Sequence, residues 1–278
     1  MNRREMLTIT GTGVAMALTS GVRAVWASVP AQQDVRLGVA TYSLRNFQRQ
    51  MAISMLKLLG VTLVSVKEFH LPYAITPEEA AKAKAEFEKA RLTILSGGVI
   101  TLDDKDPKGL RTYFEYARRC GMPMIIAAPT HQALGEMEKL AREFDIKVAI
   151  HNHGPEDRNF PTPQSVLEAV KNMDPRCGLC IDLGHSLRAG ADVVQSIAEA
   201  GPRLLDIHIK DLRSATDKGS QCDVGQGVMP IVAIFKQLKN MKYAGSVNLE
   251  YEINAENPLP GMDSSLAYMR GVLAGLAG

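Results

Sequence analysis

Four polar residues that can bind a divalent metal each stand at the end of a short apolar run of the chain. They are His151, Asp182, His208 and Glu250. The chain between each one and the next is long enough for a strand, a helix and two loops. In a (β/α)8 barrel the carboxyl ends of all strands meet at one face, so residues this far apart in sequence converge there. A single such residue is usually solvated, but four at successive strand ends predict a metal site.

The apolar runs alternate with longer amphipathic stretches, and this alternation predicts the fold. It repeats eight times from residue 35 without a Pro/Gly/Ser-rich linker, which indicates an α/β protein with a single (β/α)8 TIM barrel over residues 28–278. The predicted strands are 35–41, 61–66, 92–96, 124–128, 147–151, 178–182, 204–209 and 246–250. The predicted helices are 48–59, 77–90, 107–120, 132–144, 163–172, 192–200, 231–239 and 264–278. An open doubly wound sheet is the alternative, but no G-x-G-x-x-G follows the first strand.

Local signals support these elements. Thr76, Pro77 and Glu79 supply a cap, a first-turn proline and an early carboxylate, the usual start of a helix. In the predicted strand that ends near His208, polar residues at alternate positions would point to the same face. Polar side chains on the inner face of a barrel are costly unless they are paired or bind a metal.

Several motifs resemble the xylose isomerase-like barrel superfamily, which includes sugar isomerases and epimerases, inosose dehydratase and endonuclease IV. The motifs are Ile181-Asp182-Leu183-Gly184-His185, His208-Ile209-Lys210-Asp211, Gly225-Gln226-Gly227 and Leu249-Glu250-Tyr251-Glu252. They cover the C-terminal half closely. The N-terminal half is similar only in pattern, through residues 38–43 and the pair Lys67-Glu68.

The resemblance implies a divalent metal held, as in the family's epimerases, by Glu, Asp, His and Glu. Asp182, His208 and Glu250 match the last three, whereas His151 stands where the first Glu usually lies. A set of two His, one Asp and one Glu carries a charge of −2, and its extra imidazole suits Mn²⁺, Zn²⁺, Co²⁺ or Fe²⁺ better than Mg²⁺. His153 shares a strand face with His151 and is the alternative ligand, in which case His151 would contact the substrate.

Further side chains near the predicted strand ends are candidates for catalysis and substrate binding. The predicted catalytic residues are Glu68, His185, Lys210 and Glu156, and the predicted substrate-binding residues are His70, His153, Arg213 and Tyr42. In the family, the position of His185 contacts substrate or binds a second metal; the alternative is that His185 supports its loop. Lys210 and Arg213 would bind a substrate oxygen, unless Lys210 simply pairs with Asp206 or Asp211. Either Glu156 or Asp157 is a candidate base on the loop after the fifth strand.

A divalent ion at this site would polarise adjacent sugar oxygens and favour removal of the proton beside a carbonyl, giving an enediolate. The first hypothesis is therefore an isomerase or epimerase of a free sugar or ketose. The second is a lyase or dehydratase that eliminates from an oxidised sugar, a 3-keto-glycoside or an inosose. A non-catalytic sugar-binding protein is the third. Endonuclease-type repair is disfavoured, because its three-metal cluster needs many His ligands and this chain has only six His.

Residues 1–27 predict a twin-arginine-type export signal and a periplasmic protein. The segment contains Arg3 and Arg4, a mild apolar stretch, and small residues at Val25 and Ala27 before a cleavage point at Ser28. A frayed N-terminal helix is the alternative. The apolar stretch is shorter than the roughly 20 residues that span a bilayer, which argues against a permanent membrane anchor.

The amino-acid composition limits the classes of binding partner that are expected. The formal net charge is +2, and removing residues 1–27 leaves equal numbers of basic and acidic residues. Nucleic-acid affinity comes mainly from clustered Lys and Arg, so a nucleic-acid partner is not expected. The expected partner is a small carbohydrate. The sequence does not decide between a monomer and a homo-oligomer. Cys177 and Cys180 lie in one predicted strand with side chains too far apart to bridge, so the cysteines are expected to be buried free thiols.

Overall fold

Eight parallel strands form a closed barrel, as predicted. The computed structural model describes residues 35–277. The strands are β1 (Arg36–Ala40), β2 (Leu63–Val66), β3 (Thr93–Leu102), β4 (Met124–Pro129), β5 (Lys147–His151), β6 (Cys177–Asp182), β7 (Leu204–Ile209) and β10 (Ser246–Leu249). Neighbours around the barrel run β1-β10-β7-β6-β5-β4-β3-β2, and a short antiparallel hairpin, β8 (Asp211–Leu212) with β9 (Gln221–Cys222), stands apart from it.

Helices follow the barrel strands. They are α1 (Arg49–Leu58), α2 (Pro77–Lys89), α3 (Arg111–Arg119), α4 (Leu134–Phe144), α5 (Pro163–Val170), α6 (Leu183–Arg188), α7 (Val193–Ala200), α8 (Ile231–Asn240) and α9 (Leu259–Gly275). The start predicted for α2 is confirmed, since Thr76 Oγ1 accepts a hydrogen bond from Glu79 N at 3.2 Å and Glu79 caps Thr76 N in return.

Three elements differ in their bounds from the sequence predictions, and two further elements were not predicted. β3 runs on past the predicted end because Gly97 and Gly98 leave room for close packing: a Cβ there would lie 2.2 Å from Met122 Sδ and 2.2 Å from Ile126 O, respectively. α3 begins four residues late because Gly109, with φ of +69°, ends a turn there. α9 begins at Leu259 rather than 264, and both α6 and the β8–β9 hairpin were not predicted.

The main apolar core, between strands and helices, contains Cys120 and Cys177, and a smaller buried cluster contains Cys180. Cys120, Cys177, Cys180 and Cys222 are all buried and free, which confirms the expectation of unbridged thiols. Among the helices between residues 35 and 277, none combines the length and apolar character that a membrane span requires. The predicted export signal over residues 1–27 lies outside the described residues.

Candidate metal centre

The four predicted metal ligands converge at the carboxyl ends of adjacent barrel strands. His151 and Asp182 are the last residues of β5 and β6, His208 lies in β7, and Glu250 follows β10 directly. All four are buried, with exposed fractions between 0 and 6%. One potential ligand atom from each lies within 4.8 Å of the others. The strands bring together side chains that are up to about a hundred residues apart because neighbouring parallel strands end at one face.

The distances between these atoms suit coordination of one ion. His151 Nε2 lies 3.2 Å from His208 Nδ1 and 3.5 Å from Asp182 Oδ2. His208 Nδ1 lies 3.3 Å from Glu250 Oε2. Ligands that each bind an ion at about 2.1 Å stand about 3.0–3.5 Å apart. Two imidazoles and two carboxylates are also the donor types that Mn²⁺, Fe²⁺, Co²⁺ and Zn²⁺ accept, so these residues fit a divalent metal.

The backbone around Asp182 and Glu250 fixes both carboxylates. Asp182 caps α6, because its Oδ1 accepts a hydrogen bond from His185 N at 2.7 Å and leaves Oδ2 toward the other ligands. Asn152 ties β5 to β6 by accepting from Asp182 N at 3.0 Å. Beside Glu250, Gln221 Nε2 from the hairpin donates to Glu250 O at 2.8 Å. The hairpin that sequence analysis missed therefore helps to place a candidate ligand.

Lys210 is the cation of this centre. Its partners are neither Asp206 nor Asp211, the two carboxylates that the sequence suggested. Its Nζ lies 3.0 Å from Asp182 Oδ2 and 2.8 Å from Glu250 Oε2, and it also pairs with Glu252. The suggested pairing of Lys210 with Asp206 or Asp211 was wrong. Those carboxylates are held elsewhere: Asp206 accepts from Asn248 at 2.6 Å, and Asp211 accepts backbone bonds from Gly225, Gly227 and Met229.

Burial and neighbouring charges set the protonation of the cluster. Burial lowers the pKa of His151 to about 3, with His153 adding to the effect, so the ring is neutral and its nitrogen is free to coordinate. Burial by itself would lower the pKa of Lys210, but Asp182, Glu250 and Glu252 together raise it well above its usual value. Burial would raise the pKa of Glu250, yet Lys210 and His208 hold it well below its usual range. The centre thus combines an ammonium with ionised carboxylates.

His153 and His185 stand beside the ligands without joining them. His151 belongs to the four-residue group within the described residues, whereas His153 Nδ1 lies 3.3 Å from Asp157 Oδ2 and its side chain is 33% exposed. The ring centroids of His153 and His185 lie 4.3 and 5.9 Å from that of His151. Three imidazoles therefore crowd the mouth of the barrel next to His208.

The other predicted site residues are spread around the rim. Glu68 follows β2, on the barrel wall opposite β6, and its Oε2 lies 3.0 Å from Lys67 Nζ. Tyr42 is half-buried, with Arg45 over its ring. The remaining three have other surroundings: His70 is buried between Thr41 Oγ1 and Phe47 O, Glu156 is exposed and paired with Arg188, and Arg213 is exposed on the hairpin. The structure does not bring these three into the ligand cluster.

Some groups at the centre were not singled out from the sequence. Cys180 lies beneath the ligands and forms a second possible metal-binding group with His151 and His208. Arg188, at the end of α6, has a side chain only 5% exposed and contacts His185. Glu252 reaches Lys210 from the loop after β10. The alternation Glu250-x-Glu252 was the available signal for Glu252, whereas nothing local to Arg188 indicates its burial.

Comparisons with known proteins agree with this architecture. A family model described as a xylose isomerase-like TIM barrel matches residues 54–272. The chain belongs to the xylose isomerase-like TIM barrel family. The motif resemblance in the C-terminal half is thereby confirmed and extends into the N-terminal half.

Individual relatives of the family are distant. An inosose dehydratase of Mesomycoplasma hyopneumoniae is 24% identical over 163 residues, which cover 51% of this chain and 53% of that protein. The chain therefore matches only about half the length of this curated relative.

Two solved structures show the shared fold. D-psicose 3-epimerase from Clostridium cellulolyticum H10, crystallised with D-tagatose, has a TM-score of 0.67 at 17% identity, covering 86% of this chain and 99% of that one. A probable 3-DHS dehydratase of petrobactin synthesis from Bacillus anthracis has a TM-score of 0.70 at 14% identity, covering 85% and 99%. The same barrel thus occurs in an epimerase and in a probable dehydratase.

Proposed function

We propose that this protein is a metal-dependent isomerase or epimerase that acts on a free sugar or ketose. The observation that carries the proposal is the group of His151, Asp182, His208 and Glu250, whose ligand atoms lie within 4.8 Å of one another at the barrel mouth. A divalent ion held there would act as a Lewis acid toward adjacent substrate oxygens and favour loss of the proton beside a carbonyl. The similarity to an inosose dehydratase and to a D-psicose 3-epimerase supports a carbohydrate substrate.

The residues of this chain have separate parts in the proposed reaction. Lys210, an ammonium next to two ligand carboxylates, would donate a hydrogen bond to the oxygen on which negative charge develops. Glu68, on the wall opposite Asp182, would take the carbon-bound proton, because it is a carboxylate outside the ligand set. His185 and His153 would hold substrate hydroxyls at the rim.

The test is metal analysis of the purified protein together with solvent-deuterium incorporation into candidate free ketoses. The proposal predicts a bound divalent metal and deuterium at the carbon beside the carbonyl, with both signals lost after chelation. Glu68→Gln should retain the metal and lose the exchange. A protein that binds no metal and exchanges no deuterium would remove this function.

The second candidate is elimination from an oxidised sugar. The observation that favours it is that the matched curated relative is an inosose dehydratase. In such a reaction Lys210 and His185, which lie beside the candidate ligands, would donate hydrogen bonds to the departing oxygen. Presenting 3-keto-glucosides and inososes separates the two candidates. Release of the aglycone or of water without an isomerised sugar would favour elimination.

The predicted export signal is consistent with glycoside breakdown products as substrates, and periplasmic location is part of the proposal.

A further inference from the structure

Arg188 is a buried cation beside the candidate metal centre, and it contacts the imidazole of His185. Its side chain is only 5% exposed, and its guanidinium pairs with Glu156 from the loop after β5. Its Nη1 also lies 3.2 Å from Nδ1 of His185, one turn earlier in α6. Arginine is rarely buried unless it is paired, so this contact pattern joins the loop after β5 to α6 at the mouth of the barrel.

The contact with Arg188 determines which nitrogen of His185 carries the hydrogen. A guanidinium can only donate, so Nδ1 of His185 must accept. A neutral imidazole whose Nδ1 accepts carries its hydrogen on Nε2. A second cause keeps the ring in place: His185 N donates to Asp182 Oδ1 at 2.7 Å, which fixes the backbone from which the ring projects.

Gly154 packs against the same pair. Its φ is +84°, and a Cβ there would lie 3.2 Å from His185 Nδ1 and 3.4 Å from Arg188 Nη1. Only glycine lets the chain approach this closely in that conformation. The segment after His153 therefore packs against the Nδ1 side of the His185 ring, where Arg188 donates.

The other nitrogen of His185 is available to a ligand. Within residues 35–277, no side-chain or backbone group makes a hydrogen bond to Nε2 of His185, and the ring is half-buried. The ring centroid lies 5.9 Å from that of the predicted ligand His151 and 5.8 Å from that of His153. A substrate seated at the metal centre would therefore lie beside this ring.

We propose that Arg188 is a positioning residue that fixes His185 as the Nε2–H tautomer. His185 then donates a hydrogen bond to a substrate oxygen, and it acts neither as the base nor as a ligand of a second metal through Nε2. The donor role rests on the proposed function, because it needs a substrate at the centre. The tautomer itself does not depend on any activity.

The experiment is long-range ¹H–¹⁵N NMR of the full chain labelled with ¹⁵N-histidine, with and without added Zn²⁺, which is diamagnetic. The His185→Gln variant identifies the His185 signals by their loss. In the wild type, Nδ1 should resonate as an unprotonated nitrogen and Nε2 as a protonated one. Arg188→Met should shift both signals toward an exchanging average of the two tautomers, whereas Arg188→Lys, which can still donate, should keep the wild-type pattern.

The matched control is Arg142→Met, which removes an exposed arginine that pairs with Glu138 on α4 and should leave the His185 signals unchanged. A wild-type spectrum with the hydrogen on Nδ1, or an Arg188→Met spectrum equal to that of the wild type, overturns the proposal. With a substrate in hand, Arg188→Met should lower kcat by about tenfold or more, since one preorganised hydrogen-bond donor contributes about 10²–10³-fold, and Arg188→Lys should restore most of it. Absence of any turnover would refute the proposed function and leave the tautomer result standing.

Discussion

His151 changes the chemistry of the candidate metal centre at the scale of a single residue. The resemblance to the family's epimerases places a glutamate at this position, and the structure places the imidazole 3.2–3.5 Å from two other ligand atoms. A neutral nitrogen donor lowers the total negative charge of the ligand set and makes it softer. This favours transition metals over Mg²⁺.

We expect His151→Glu to move metal preference toward Mg²⁺ and Mn²⁺. The added carboxylate supplies an oxygen ligand and a third negative charge, both of which hard cations prefer. Competition of Mg²⁺ against Zn²⁺, followed by metal analysis, should show Mg²⁺ displacing Zn²⁺ at a concentration at least about tenfold lower than in the wild type. His153→Glu is the matched control, because His153 lies outside the ligand group. An equal shift in that variant would reassign the ligand to His153.

Lys210 neutralises two buried carboxylates, and its removal should expose that role. Lys210→Met leaves Asp182 and Glu250 without their shared ammonium, and breaking a buried ion pair costs about 3–5 kcal/mol. Urea denaturation of the metal-free variant should show this loss, and added metal should recover most of it by supplying positive charge. Lys139→Met, which removes an exposed pair with Glu136, should change stability very little. Equal stabilities for the two variants would contradict the assigned role of Lys210.

At the scale of elements, a buried polar network beneath the metal centre connects β10, β7 and β3. Asn248 Nδ2 donates to Asp206 Oδ1 at 2.6 Å, and Ser96 donates to Asp206 Oδ2 at 3.3 Å. Burial raises the pKa of Asp206 to about 6. β1 accommodates this network only because residue 38 is glycine: a Cβ there would lie 2.2 Å from Asn248 Oδ1 and 3.0 Å from Leu63 O.

Gly38→Ala should therefore lower the free energy of unfolding by about 1–3 kcal/mol, the usual cost of overpacking an interior. Urea denaturation measures the change. The control is Gly271→Ala in α9, where no atom beyond the adjacent residues and the local helix backbone lies within 4 Å of the added methyl group and alanine should stabilise the helix by up to about 1 kcal/mol. A Gly38→Ala protein as stable as the wild type would show that β1 and β10 can separate without cost.

Sequence patterns predicted the features that depend on local order. The convergence of the four candidate ligands follows from the strand ends and from the alternation of faces, both of which are visible in residues such as Asp206, His208 and Lys210. The partners of Lys210 could not be predicted, because Asp182 and Glu250 reach it from two different strands. The continuation of β3 was missed because Gly97 and Gly98 resemble a strand end, whereas here they permit contact with Met122 and β4. α6 is too short to leave a periodic signal.

At the scale of the whole molecule, one ion bound by residues of four strands would link half of the barrel wall. β5, β6, β7 and β10 are consecutive neighbours in the closed sheet. A ligand that binds only the folded state stabilises it by about 4 kcal/mol at a thousandfold excess over its Kd. Metal binding should therefore be visible in global stability as well as at the centre.

Removal of metal by EDTA should lower the Tm of the full chain by on the order of 10 °C, because each kcal/mol shifts Tm by about 2–4 °C in a domain of this size. Scanning calorimetry with EDTA and with added Zn²⁺ or Mn²⁺ measures the difference. The metal-free protein should still unfold cooperatively, since Lys210 continues to compensate the carboxylates. Identical Tm values in EDTA and in metal would argue against an ion that joins the four strands.

The most direct measurement is anomalous diffraction from crystals of the full chain soaked with Mn²⁺ or Zn²⁺. We predict one strong peak about 2.0–2.2 Å from His151 Nε2, Asp182 Oδ2, His208 Nδ1 and Glu250 Oε2. A barrel that shows no peak at this position, or a peak bound by His153 and His185 in place of His151, would contradict the assignment of this metal centre.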